Sequence, residues 1–170
     1  AIGKRLDDIQ NSVTQKTMAA FEPALDYCVV KIPRWPFDKF PSGDRTIGTQ
    51  MKATGEVMAI ERTFESAFQK AIRSLEITGR SLLWEDSRHV EGNVDPKLLS
   101  PHDERLWTLM AALRRGMTPE DLSRATGVDP WFTRAFENIV HMENRLLTEY
   151  FDRELLWQAK RLGFSDECIG

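Results

Sequence analysis

Apolar positions change their spacing near residue 100, and two kinds of architecture follow. Before that point the signals are mixed. Residues 25–32, Leu-Asp-Tyr-Cys-Val-Val-Lys-Ile, are rich in β-branched and aromatic side chains, which predicts a strand. A nearly continuous apolar run of this kind suits a strand covered on both faces, and Pro33 is expected to stop it. Residues 56–60 predict a second short strand. Thr63 is then a good N-cap for a helix through Glu76, with Phe64, Phe68, Ala71, Ile72 and Leu75 on one face. Gly79 is placed to end that helix in a left-handed conformation. The Pro- and Gly-containing stretch 33–48 reads as an irregular loop held down by Trp35, Phe37 and Phe40.

Residues 80–99 read as a connector, with Gly92, Asn93 and Pro96 and weak periodicity. Everything after them reads as helix. Ser100-Pro101 predicts a cap and first helical position, opening a helix over 101–115 with Leu106, Leu109, Met110 and Leu113 inward and Gly116 at its end. Thr118-Pro119 opens a short helix closed by Gly127. Asp129-Pro130 opens a long one to about Tyr150, with Phe132, Phe136, Ile139, Val140 and Leu147 inward. A further helix runs over 152–162 to Gly163, and Ser165 caps another that the chain truncates. The expected fold class is an α+β segment over 1–79 followed by an all-α bundle over 80–170, the bundle carrying its own core of Leu106, Leu109, Leu113, Phe136, Ile139 and Val140.

Composition changes this picture little. With 41% hydrophobic and 29% charged residues, the 170-residue chain has enough apolar material for a core. A net charge of −3 and a pI near 5.7 give no electrostatic footprint for nucleic acid. Cys28 and Cys168 lie far apart and outside any CxxC pair. No apolar run is long enough to span a membrane. The chain opens on Ala1 and closes at Gly170 just past a helix start, so it reads as a piece of something longer.

Candidate chemistry is sparse. Glu137 and His141 are four apart on a helix and share the spacing of a metal pair, although a surface i,i+4 pair is the plainer account. His89 and His102 stand alone. Gly43, Gly48 and Gly55 fit no phosphate-binding loop. Arg34-Trp35-Pro36-Phe37-Asp38-Lys39-Phe40 interleaves basic and aromatic residues, as a single-strand stacking platform does; with no net positive charge, a loop whose aromatics pack on the core and whose basic residues are solvated is the better account. Residues 116–150 scan like a DNA-binding helix-turn-helix, but the second helix opens Asp129-Pro130-Trp131-Phe132, with nothing to read base edges. Glu56 is the most suggestive ionisable residue, at the point where an irregular segment enters a strand. An exposed carboxylate paired with Lys52 is its ordinary explanation.

Several pieces carry a family resemblance. They are Phe-Glu-Pro at 21–23, Asp26-Tyr27, Lys-Ile-Pro-Arg at 31–34 and Thr-Gln-Met-Lys-Ala-Thr-Gly-Glu-Val-Met-Ala-Ile at 49–60. In letters, order and spacing they resemble the large (synthetase) subunit of carbamoyl phosphate synthetase. Asp129-Pro130-Trp131-Phe132 and Leu-Gly-Phe-Ser-Asp at 162–166 extend the likeness, while Glu61 replaces a usual Gly, which puts the local turn in question.

The resemblance implies that 1–79 ends the first, carboxyphosphate-making ATP-grasp unit and that 80–170 is most of the helical oligomerisation domain. It implies a parent that makes carbamoyl phosphate from bicarbonate, ammonia released from glutamine and two ATP, with Mg²⁺ or Mn²⁺. The residues that hold the metal and phosphates in the family lie before this chain, so no catalytic, cofactor or metal residue is expected within it. Met51, Thr54 and Glu56 correspond to positions lining the family's internal carbamate passage. Implied partners are the rest of the large subunit, the glutamine amidotransferase small subunit and further copies through the helical domain, in the cytoplasm, with no nucleic acid or membrane. A helix-turn-helix-like nucleic-acid-binding or protein-interaction module is the competing reading.

Overall fold

A computed structural model describes residues 3–22, 24–77, 80–86 and 94–170. Two strands, β1 (Cys28–Arg34) and β2 (Gly55–Glu61), pair antiparallel, with Val30 opposite Ala59 and Pro33 opposite Glu56. Helices follow: α1 (Phe64–Ser74), α2 (Arg105–Arg114), α3 (Pro119–Thr126), α4 (Pro130–Thr148), α5 (Arg153–Arg161) and α6 (Asp166–Ile169).

Helix starts follow local chemistry. The side chains of Thr63, Thr118, Asp129, Asp152 and Ser165 each accept from a backbone N–H in the first turn of their helix. Gly127 and Gly163 leave α3 and α5 with φ of 73° and 95°. The helix start expected at Ser100-Pro101 is displaced. Asp95 instead caps a 3-10 turn over Pro96–Leu99, and α2 begins at Arg105 without a side-chain cap.

Pro33 does not end β1. The described sheet has only two strands, so β1 has a free edge, where a residue without an N–H is tolerated. Nor is the strand covered on both faces. Cys28, Val30 and Ile32 face the core, while Val29, Met58 and Ile60 are 43–59% exposed on the other face. Glu61 is extended within β2, opposite Cys28, so it takes no glycine-like conformation. After α1 it is Glu76, with φ of 50°, that turns left-handed; Gly79 lies outside the described residues, as do Pro23, His89, Gly92 and Asn93.

The bundle does not keep a core to itself. Buried residues form one cluster from Val30 and Ala59 through Ala67, Phe68 and Ile72 to Met110, Leu122, Ile139 and Phe164. Phe68 meets Phe136 with ring centroids 5.0 Å apart. Gln69 donates to the Leu162 carbonyl at 2.8 Å and Arg73 to the Gly163 carbonyl at 2.6 Å. A Cβ on Gly163 would stand 2.8 Å from Ser66 Cα, so glycine lets the α5–α6 turn sit directly on α1.

Burial also corrects the helix faces. Seven consecutive residues of α2, Trp107 to Leu113, are buried, so it is the central helix rather than an amphipathic one, and Leu106 is only half-buried. On α4, Phe132 is 40% and Leu147 83% exposed. Their inward places go to Thr133, Ala135, Met142 and Glu143.

Candidate functional site

Met51, Thr54 and Glu56 lie on the segment that closes the loop between the strands. Three of its residues, Lys52, Thr54 and Glu56, fix its course. Lys52 Nζ donates to the Asp44 carboxylate at 2.7 Å and to the Thr46 carbonyl at 2.6 Å. The Thr54 backbone N–H donates to the Arg34 carbonyl at 3.0 Å. Glu56 pairs with Lys31 across the strands at 2.8 Å, and not with Lys52. Lys52 and Thr46 hold the Asp44 carboxyl down at about 2, so this anchor stays charged well into acid.

The anchored segment presents its side chains outward. Met51 is 90% exposed, and Thr54 and Glu56 are exposed too. Glu56 shares the outer face of the hairpin with Met58 and Ile60, since alternate residues of a strand share a face. The three residues thus lie on one stretch, along the loop and onto the outer sheet face.

The inner side of the hairpin borders a cavity of about 570 Å³. Ile32, Trp35, Phe37, Ile47, Phe68 and Trp107 supply much of its wall. The loop of residues 35–48 is fastened over it: the Ile47 N–H donates to the Pro101 carbonyl at 2.9 Å, and Arg45 Nε donates to Asp103 at 2.8 Å. Arg45 and Arg80 converge on Glu104 at 3.0 and 2.6 Å. Arg80 also lies over the Trp84 ring at 4.1 Å. Asp103, then Glu104, raise the Arg45 pKa further above its ordinary value. These charges neutralise one another, and Met51, Thr54 and Glu56 are not among the residues lining this cavity.

Other sequence candidates come apart. In the basic-aromatic loop Phe37 is buried and Phe40 63% exposed, so Phe40 does not pin the loop. Arg34 is engaged by Asp38 at 2.7 Å. A helix pair does form at α3–α4, but Trp131 and Phe132 pack edge-on against Phe64, at 5.4 and 5.3 Å, with Asp129 capping Trp131. Glu137 and His141 are both exposed. Among the described residues no group of three His, Cys, Asp or Glu side chains could hold a metal ion, and no helix is long and apolar enough to cross a membrane.

One polar network went unforeseen. Arg114 binds Glu143 at 2.7 Å and Glu85 at 3.1 Å, and Arg115 binds Glu85 at 2.8 Å. Burial works against the Arg114 charge, but the two carboxylates outweigh it and its pKa is raised. Glu143 interrupting the inward stripe of α4 was the available signal, because a carboxylate on a buried face needs a cation.

The fold and site define an α+β domain whose hairpin is built into the core of a helical bundle and carries an anchored, outward-facing segment. Comparison with known proteins says which one. The model of the carbamoyl-phosphate synthetase large chain oligomerisation domain matches residues 56–170. The carbamoyl phosphate synthase large chain of Thermomicrobium roseum is 61% identical over 170 residues, covering 99% of this chain and 16% of its own length. That of Caldanaerobacter subterraneus is 52% identical with the same coverage. The N-terminal section of the Methanopyrus kandleri large chain is 50% identical over 187 residues, 33% of its length. The chain belongs to the carbamoyl-phosphate synthetase large chain family, of whose members it spans only part.

Proposed function

We propose that this chain is the part of a glutamine-hydrolysing carbamoyl phosphate synthase large chain that supplies structure, subunit association and one wall of the carbamate passage. Residues 1–79 end the carboxyphosphate-making ATP-grasp unit and residues 80–170 form most of the oligomerisation domain. In this reading the parent works in the cytoplasm with a glutamine amidotransferase small subunit. It consumes bicarbonate, ammonia and two ATP, with Mg²⁺ or Mn²⁺ held by residues outside this chain. Among the described residues the carboxylates of Glu85, Glu104 and Glu143 are each engaged by an arginine, which supports a structural rather than a metal–nucleotide role for them. No chemical step is therefore assigned to them.

The observation that supports the passage role is the combination of fixed backbone and exposed side chains at Met51, Thr54 and Glu56. Carbamate is small, anionic and unstable in water, so its route must exclude bulk solvent. A wall for such a route needs a fixed course and a surface that another part of the protein covers. The apolar outer face of the hairpin suits that cover, because isolated proteins rarely leave such a face open. The test of the non-catalytic assignment is direct. Purified chain with ATP, Mg²⁺ and bicarbonate should release no phosphate above the blank, and bicarbonate-dependent turnover would overturn it.

A further inference from the structure

The loop that leads into the Met51–Glu56 segment takes its footing in the helical domain. Helix α2 has seven consecutive buried residues, and Asp103 and Glu104 form the turn just before it. Their carboxylates are nearly enclosed, with side chains 11% and 9% exposed. Arg45 grips Asp103 with two prongs: Nε donates to one oxygen at 2.8 Å and Nη2 to the other. The same Nη2 lies 3.0 Å from Glu104. Thr46 then pairs with His102 in an isolated antiparallel bridge, and the Ile47 N–H donates to the Pro101 carbonyl at 2.9 Å. Residues 45–47 are thus laid antiparallel along residues 101–103.

The residues on either side of Arg45 hold the outward-facing segment. Lys52 Nζ donates to the Asp44 carbonyl at 3.0 Å, to the Asp44 carboxylate at 2.7 Å and to the Thr46 carbonyl at 2.6 Å. An ammonium has three donors, and these three acceptors satisfy them all. The Lys52 side chain is only 15% exposed as a result. Contacts therefore run without a break from the turn before α2, through Asp103 and Arg45, to Asp44, Thr46 and Lys52, beside Met51 and Thr54.

We propose that Arg45 and Asp103 are positioning residues for the carbamate passage, the pair through which the helical domain holds the Met51–Glu56 wall in place. The proposal rests on the reading that this segment lines the passage. Neither residue lies on the segment; both act through Lys52. Arginine suits position 45 because its planar fork matches both oxygens of a carboxylate, whereas lysine offers a point charge on a flexible stem. The near-enclosure of Asp103 protects the pair from screening by salt. A wall free to move admits water. Carbamate that meets water returns to ammonia and bicarbonate, and the ATP used to make it yields no product.

The experiment uses the full-length large chain with its small subunit. Two quantities are read on each preparation: ATP hydrolysed per carbamoyl phosphate formed, and the rate at which acetic anhydride acetylates Lys52, followed by mass spectrometry. Unfolding of part of a sample lowers both activities together and leaves the first ratio unchanged. Arg45→Gln should raise the ratio roughly twofold or more, as loss of a contact linking two regions does, and should speed acetylation of Lys52. Arg45→Lys should fall short of the unmodified protein, since it keeps the charge and loses the fork. Asp103→Asn should act in the same direction, and the double variant Arg45→Gln/Asp103→Asn should be no worse than the worse single one, because each acts through the other. Arg134→Gln, which removes an exposed ion pair with Glu120, should change neither quantity.

An Arg45→Gln ratio equal to that of the unmodified protein, while Thr54→Trp raises it, would overturn this proposal and leave the passage reading standing. A ratio that neither variant moves would overturn both. A raised ratio with Lys52 as slow to acetylate as before would show that the pair does not act through Lys52, and that too would overturn the proposal.

Discussion

Gly163→Ala tests the keying of the helical domain onto the hairpin's helix. Gly163 has φ of 95°, and an added Cβ would lie 2.8 Å from Ser66 Cα and 3.1 Å from Ser66 O. Both neighbours are backbone of α1 and cannot swing aside. Left-handed backbone costs an L-residue about 1–2 kcal/mol, and overpacking a rigid contact costs about 1–3 kcal/mol more. The expected loss is about 2–5 kcal/mol, a large share of the 5–15 kcal/mol that holds a typical domain. Gly127→Ala is the control. Its φ is 73° and nothing lies within 4 Å of the added Cβ, so only the conformational cost of about 1–2 kcal/mol remains. Urea unfolding of both variants, followed by far-UV circular dichroism, gives the difference. A Gly163 variant no less stable than the Gly127 variant would mean that the α5–α6 turn is not seated on α1.

Three further outcomes follow from the same contacts. Leu109→Ala, at a site 5% exposed, should cost about 2–5 kcal/mol in urea unfolding; a loss below about 0.5 kcal/mol would remove Leu109 from the core. Glu76→Gly should stabilise the chain by up to about 1 kcal/mol by relieving the left-handed residue after α1; any destabilisation would contradict that turn. Asp44 is drawn down from 3.8 to about 2, so its contribution is complete above the unfolded value and disappears as pH falls through the folded one. The stability gap between the protein and Asp44→Asn, read by thermal melts, should therefore shrink from about pH 5 to about pH 2. A gap that does not change with pH would sink the Lys52 anchor.

Signals confined to one turn were legible in the sequence. Thr63, Thr118, Asp129 and Ser165 cap the helices they were expected to open, because a short polar side chain beside an orphan N–H suffices. What failed depended on tertiary neighbours. Phe132 and Leu147 fit the apolar period of α4, yet the first lies half out against Phe64 and the second faces solvent. Thr133 fills a core position because its hydroxyl donates to the Pro119 carbonyl, a bond that periodicity cannot show. The Arg45–Asp103 pair over the cavity joins residues 58 apart. The proposed passage role rests on resemblance alone, since Met51, Thr54 and Glu56 carry no chemical pattern of their own.

The most direct test of the passage assignment is a bulky replacement in the full-length large chain with its small subunit. Thr54 is exposed on the anchored segment, its N–H held by the Arg34 carbonyl at 3.0 Å, so Thr54→Trp adds bulk without removing a buried contact. Bicarbonate-dependent ATP hydrolysis and carbamoyl phosphate formation should be measured on one preparation. The account predicts that hydrolysis stays largely intact while product formation falls, so that more ATP is spent per carbamoyl phosphate made. Equal loss of both activities, or loss of neither, would contradict the passage assignment and leave Glu56 an ordinary exposed carboxylate paired with Lys31.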